Sequence, residues 1–380
     1  MPFGVYLHIP FCKSRCSYCD FATDVYRSSD AVDRYVNALC REIEGLTPSN
    51  PKSKIQNPKS IDTIYFGGGT PSLLSPSQVA QTLDAVRLSF DVTDDVEITM
   101  EMNPATVTIE SLEGYRSLGV NRASFGVQTF DDRALKLLAR GHDANDARST
   151  FALLREAGFS NISFDLIAGL PGQTLEDWQK NVREALTMRP EHLSLYLLEV
   201  HEATPLAEQI RSGRQPKPDD EVAASMYEFM VEELLAAGYR QYEISNFALS
   251  GFESRHNSKY WRLDPVYAFG VSAHSFDGVE RYANERDTAR YVEMIENGGT
   301  AEVTREKIDV ASEFAFLGLR LDEGLDLDDY REKFGIDLEE KYRSELRAAT
   351  QNGLVHSNAG RLVLTERGKV FSNEVFSIFV

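Results

Sequence analysis

The sequence predicts an α/β protein: a parallel sheet curled into a barrel or part of one, then an extension, then a small winged-helix-like domain. Two observations predict it. Through residues 1–200, short apolar runs rich in β-branched and aromatic residues alternate with helix-periodic stretches. Beyond that point the alternation stops, and the last segment reads helix, hairpin, helix.

The strand-like runs are "VYLHI", "IDTIYF", "VEITME", "NRASFGV", "NISFDLI" and "HLSLYLLEV". Between them lie "AVDRYVNALCREIEGL", "SPSQVAQTLDAVRLSF", "TIESLEGYRSLG", "DANDARSTFALLREAG" and "TLEDWQKNVREALTM". Several of these open on Ser, Thr or Asp, which cap free N–H groups, and two reach a glycine after the last turn. Six strands joined by right-handed crossovers favour a curled parallel sheet, with a flat doubly wound sheet as the competitor. Residues 47–60, rich in Pro, Ser, Asn and Lys, read as an exposed, mobile loop. Residues 201–304 open on an amphipathic helix, "DDEVAASMYEFMVEELLAAG", followed by the strand-like "YRQYEISNFA". Residues 305–380 carry a helix, two strands around an Asn-Ala-Gly turn, and a last helix.

Composition narrows the function. A chain of 380 residues exceeds one ordinary core, and 42% hydrophobic content suits a globular protein. A net charge of −19 disfavours non-specific binding to nucleic acid or an anionic membrane, and speaks against DNA binding by the C-terminal domain. No apolar run has membrane-spanning length, and the start has no secretory pattern. Three of the four cysteines are clustered, which fits the reducing cytoplasm better than a disulfide framework.

The clustered three, Cys12, Cys16 and Cys19, follow the first strand directly. Inert buried thiols do not explain three cysteines on a loop containing "KSR". Structural zinc needs four ligands, and no second knuckle exists; His8 could complete a Cys₃His site only from an awkward strand position. Cys40 sits mid-helix and reads as a core residue. A 4Fe–4S cluster normally takes four ligands, so three would leave one iron open to a small molecule.

The C-x₃-C-x₂-C spacing, with Tyr18 before the last cysteine, resembles the radical SAM superfamily. There S-adenosylmethionine (SAM) chelates the open iron, and the fold is a partial (β/α)₆ barrel. "YLHIPFC", "YFGGGTPS", "EMNP", "SFGVQTF", "ARGH" and "FDLIAGLPGQT" occur in that order and resemble the oxygen-independent coproporphyrinogen III oxidase family across nearly the whole chain.

The resemblance implies a set of cofactor contacts. Gly68, Gly69 and Thr70 belong to a loop that in the family binds the methionine amino group; on sequence alone a glycine run is most simply a turn. Glu101 is a cofactor contact by resemblance or a solvated strand-end carboxylate. Gln128 and Arg140 suit a polar pair at the barrel rim, where Arg140 is either a planar fork for a carboxylate or a helix-end residue. Asp165, inside an apolar strand, needs partners that ribose hydroxyls could supply. Tyr6 and Tyr18 are core residues or packing for sulfonium and adenine.

The family divides. Its oxidases carry a fourth cysteine where this chain has Phe21, and an N-terminal extension for which Cys12 leaves no room. "HNSKYW", residues 256–261, instead resembles the H-N-x-x-Y-W pattern of the HemW-type heme chaperone branch. That resemblance implies heme held by His256, Tyr260 and Trp261: an imidazole as axial ligand and two ring faces for the macrocycle. Without it, the stretch is a loop histidine beside two core aromatics. The expected partners are heme, apo-hemoproteins that receive it, and an electron donor to the cluster. A second copy of the chain could cover the bare cluster loop. Coproporphyrinogen III decarboxylation is the alternative activity, and a non-catalytic zinc module a distant third.

Overall fold

The computed structural model describes residues 2–46 and 59–380, so most of the loop expected at 47–60 lies outside the described residues. Six strands carry the sheet: β1 (Phe3–Ile9), β2 (Ser60–Gly68), β3 (Asp91–Met102), β4 (Arg122–Gln128), β5 (Ile162–Ala168) and β6 (His192–Leu197). They pair in chain order and all in parallel. The crossovers contain α1 (Ser29–Glu44), α2 (Pro76–Ser89), α3 (Ile109–Ser117), α4 (Asp132–Leu137), α5 (Ala144–Glu156) and α6 (Leu175–Met188). The polar residues read as helix starts do cap: Ser75 with Gln78, Thr108 with Ser111, Asp143 with Asp146 and Thr174 with Asp177 form reciprocal boxes.

The extension adds α7 (Pro205–Arg211), α8 (Asp220–Ala236), β7 (Arg240–Glu243), β8 (Asn246–Ala248), α9 (Arg255–Trp261), β9 (Val266–Phe269), β10 (His274–Phe276), β11 (Glu280–Asn284), α10 (Thr288–Glu296) and β12 (Glu302–Lys307). The apolar stretch 239–248, expected as one strand, is the hairpin β7–β8, which runs antiparallel along β6. β9 instead returns to the far side of β1 and pairs with it in parallel. The sheet order is β12-β11-β10-β9-β1-β2-β3-β4-β5-β6-β8-β7, with no pairing between its two ends among the described residues. The result is an open, partial barrel, neither closed nor the flat doubly wound competitor.

Strand periodicity decides what lines this barrel. Val5, Leu7, Ile9, Ile98, Met100, Phe125, Val127, Phe164 and Leu166 join the core under the helices. Their alternates therefore face the interior: Tyr6 and His8; Thr63 and Tyr65; Glu97, Thr99 and Glu101; Arg122 and Ser124; Ser163 and Asp165; His192 and Ser194. The interior is thus polar along most of its length, which a core built only for stability would avoid.

The C-terminal unit comprises α11 (Val310–Gly318), β13 (Leu325–Asp326), α12 (Leu327–Phe334), α13 (Leu338–Lys341), α14 (Arg343–Gln351), the hairpin β14 (Val355–Asn358) and β15 (Arg361–Leu364), α15 (Glu366–Val370) and α16 (Ser372–Phe376). β13 adds a third strand to the hairpin, giving the winged-helix-like outline. This unit has its own core around Leu319, Tyr330, Leu346 and Leu362. Lys369 Nζ ties it to the extension through Gln241 Oε1 at 2.7 Å. No described helix is long and apolar enough to cross a membrane.

Candidate functional site

The cysteine loop leaves the C-terminal end of β1, at the rim where strand ends and loops converge. Cys12 is fixed by a short parallel pairing of Phe11–Cys12 with Asp24–Val25. The glycine loop after β2 holds it from beneath: Gly69 N–H donates to Ile9 O and Thr70 N–H to Phe11 O, both at 2.8 Å. A Cβ on Gly69 would lie 2.7 Å from Pro10 O, so only glycine permits this approach. Cys12, Cys16 and Cys19 are free, partly exposed thiols, whereas Cys40 is buried in α1. Burial raises the Cys12 and Cys19 thiols, and the neighbouring cysteines raise them further.

Among the described residues, no three His, Cys, Asp or Glu side chains form a single-ion site. His8, the candidate fourth zinc ligand, has both ring nitrogens engaged: Nε2 with Ala22 O at 2.9 Å and Nδ1 with Tyr6 OH at 3.2 Å. Burial lowers its pKa, so the ring is neutral and fixed in place.

A hydrogen-bonded arc joins the loop to the barrel rim. Thr70 Oγ1 donates to Cys12 Sγ at 3.5 Å and accepts from Asn103 Nδ2 at 2.9 Å. Arg140 Nη2 donates to Asn103 Oδ1 and Gly126 O at 2.9 and 2.7 Å, and Nη1 lies 3.5 Å from Cys16 Sγ. Arg140 Nε is buried without a partner among the described residues, as a guanidinium waiting for a carboxylate would be. Asn103 is a site residue absent from the sequence-based set. Its signal was the motif "EMNP", two positions beyond Glu101.

Glu101 ends β3 on the interior face. Its carboxylate accepts Tyr65 OH at 2.8 Å and the Gly68 N–H at 3.0 Å. Gly68 adopts a left-handed φ of 109°, which turns that N–H inward. Burial pushes Glu101 up to about 7 against its hydrogen bonds, with Asp165 raising it further. Asp165 is pushed up to about 6 by burial, opposed by Ser194, Arg122 and Arg140. Gln128 ends β4 with a left-handed φ of 66°, at the point where its register to β5 slips. Tyr18 packs against Leu138, Ile167 and Leu170, linking the cysteine loop to the end of β5. Tyr6 stacks beside Tyr65 at 6.1 Å between ring centroids.

The "HNSKYW" stretch forms helix α9 and not a loop, and it adjoins the rim through Tyr6 and Tyr65. His256 is 1% exposed. Its Nδ1 bonds Thr63 Oγ1 at 2.9 Å, its Nε2 bonds Tyr260 OH at 3.1 Å, and its ring stacks on Tyr65 at 5.0 Å. Burial, then Lys259 and Arg122, push its pKa down to about 3. Neither nitrogen is open to iron in this arrangement, so the axial role expected for His256 conflicts with its packing. Tyr260 and Trp261 keep part of their surface accessible, and Arg320 covers the Trp261 ring at 4.2 Å. The structure thus places Gly68, Gly69, Thr70, Arg140 and Tyr18 by the cysteine loop and Glu101, Gln128 and Asp165 at the strand ends, while Tyr6 stacks on His256 at 6.4 Å and so joins the two sets; His256 and Tyr260 face β1 and β2, and Trp261 lies under Arg320.

Comparison with known proteins agrees with this geometry. Residues 6–185 match the radical SAM superfamily and residues 306–371 the HemN C-terminal domain. The chain is 39% identical to the heme chaperone HemW of Bacillus subtilis (strain 168), over 99% of each chain. It is 36% identical to the mitochondrial radical S-adenosyl methionine domain-containing protein 1 of Bos taurus, over 85% of this chain and 74% of the relative. Among solved structures it is similar in fold to the coproporphyrinogen III oxidase HemN from Escherichia coli, with a TM-score of 0.86 at 23% identity, covering 100% of this chain and 90% of that one. The chain belongs to the radical SAM superfamily and, within it, to the family of the heme chaperone HemW.

Proposed function

We propose that this chain is a cytoplasmic heme chaperone, which binds heme and a SAM-coordinated 4Fe–4S cluster and delivers heme to apo-hemoproteins. One observation carries the reading: the full-length likeness to relatives named as heme chaperones, at 39% identity for the first of them. Cys12, Cys16 and Cys19 would ligate the cluster. Arg140, with its free Nε, and Gln128 would take the methionine carboxylate end, and Glu101 with the Gly68–Thr70 loop the ammonium. Asp165 would take the ribose, and Tyr6 and Tyr18 would close over sulfonium and adenine. When bound, the pair supplies an electron from the cluster and a cleavable sulfonium. The chain's part is to place them in a dry rim with oriented hydrogen bonds.

Heme would meet the accessible faces of Tyr260 and Trp261; ligation by His256 would first require release of its bond to Tyr260. An acidic surface overall, with Phe21 65% exposed beside the cluster loop, leaves that loop open to an electron donor or a second copy of the chain. The exposed phenylalanine stands where the resembling oxidases carry their fourth cysteine.

The test is anaerobic reconstitution followed by heme titration with and without SAM, alongside incubation with coproporphyrinogen III. Heme should bind stoichiometrically and no protoporphyrinogen IX should form. Protoporphyrinogen IX produced in step with CO₂ release would replace this reading with the oxidase.

A further inference from the structure

Arg122 opens β4 on the barrel's interior face. It stands in register with Thr99 of β3, two residues below Glu101 on the same face, and Gly126 of the same strand registers with Asp165. Arg122 is 1% exposed, and its Nε and Nη1 have no hydrogen-bond partner among the described residues. Thr99 Oγ1, directly across from it, is also buried and unpartnered. The side chain thus sets a guanidinium where water does not screen it.

The groups facing the two rim carboxylates can be named. Glu101 meets Tyr65 from β2, the Gly68 N–H, and Asp165 from β5. Its charge also reaches Tyr6 from β1, Tyr196 from β6 and Tyr260 from α9. Asp165 meets Ser194 from β6, Tyr18 from the cysteine loop, and Arg140, and its charge reaches Tyr65 and Tyr196. Arg122 lowers both carboxylates; Arg140 lowers Asp165 as well but is bonded into the arc with Asn103 and Cys16.

We propose that Arg122 is a positioning residue that keeps Glu101 and Asp165 in the anionic form required to bind SAM, acting by charge from beneath the site without touching the cofactor. This rests on the reading that SAM occupies the rim. An ammonium or a ribose hydroxyl donates, so the receiving carboxylate must be ionised. Direct ion pairs would achieve that but would fill the oxygens the ligand needs. A cation set below them, in a low-dielectric interior, favours ionisation without placing an ion pair on those oxygens. The same charge disfavours protonation of His192 and His256.

The test is calorimetric titration of anaerobically reconstituted protein with SAM between pH 5.5 and 8.5, for the wild type, Arg122→Met and Arg122→Lys. In Arg122→Met the pH at which half the affinity is lost should rise by about one unit. Affinity at pH 7 should fall roughly tenfold and recover toward wild type at pH 8.5, with more protons released per SAM bound. Arg122→Lys should restore most of the wild-type profile. A uniform loss at every pH, or an unchanged profile, would overturn the inference while leaving SAM binding intact. Wild-type protein that binds no SAM would instead remove the cofactor reading, and this inference with it. If Arg122→Met does not fold, Arg122→Lys and Arg122→Gln carry the comparison: equal pH profiles in the two would equally overturn it.

Discussion

Arg140 Nη1 lies 3.5 Å from Cys16 Sγ, while Nη2 of the same guanidinium donates to Asn103 Oδ1 at 2.9 Å. One side chain thus couples the cysteine loop to the ends of β3 and β4, which only a planar fork can do. Arg140→Lys keeps the charge but loses the fork. It should lower SAM affinity roughly tenfold or more, a loss on the order of 1.4 kcal/mol or above, read by calorimetry on reconstituted protein. Asn103→Ala, which unties Thr70 and Arg140 together, should show a similar loss.

Cys12, Cys16 and Cys19 should each be required for the cluster, because each would hold one iron. Cys40→Ser should leave it intact, since Cys40 is buried in α1 with its sulfur 3.7 Å from Gln81 O. Iron and sulfide content after anaerobic reconstitution decides this. A dispensable loop cysteine would undo the ligand assignment.

Asp165→Ala and Gln128→Ala should weaken SAM binding without unfolding the barrel. A buried hydrogen bond to a ligand contributes on the order of 1–3 kcal/mol, so affinity should fall roughly five- to a hundred-fold. Far-UV circular dichroism and melting temperature should stay near wild type.

Glu101 titrates near 7 in the folded chain against 4.5 in solvent. The folded state therefore holds that proton more tightly than the unfolded one. The stability this contributes is complete below 4.5 and is lost as pH rises through about 7. Glu101→Gln should accordingly stabilise the cofactor-free protein at pH 8 by on the order of 1–3 kcal/mol, with little effect at pH 4. Urea unfolding at the two pH values reads the difference. Equal effects at both would show that Glu101 is solvated.

His256→Ala should act on the fold before it acts on heme. It removes bonds to Thr63 and Tyr260 and a ring packed on Tyr65. Stability should fall by about 2–4 kcal/mol, with the Soret maximum of bound heme unmoved. A shifted Soret band in a variant that folds normally would make the imidazole a heme ligand.

Sequence by itself determined the alternating frame and the cysteine spacing. Strand and helix periods, helix caps and the three-cysteine spacing are local, so "VYLHI", "SPSQVAQTL" and Cys12–Cys19 could be interpreted without neighbours. Asp165 stood out because a carboxylate inside an apolar strand needs partners, whereas Glu101 was singled out by the family resemblance alone. Tertiary structure decided what depends on which face is covered and by what. The sequence reads His256 as a loop residue; only α9, packed on Thr63 and Tyr65, shows His256 and Tyr260 together on a closed helix face. The pairing of β9 with β1 sets which edges stay open, a choice between distant strands that no local period encodes. Nothing local in "NRASFGV" singles out Arg122. Its effect on Glu101 and Asp165 is a matter of distance and dielectric, and both exist only once the sheet has curled.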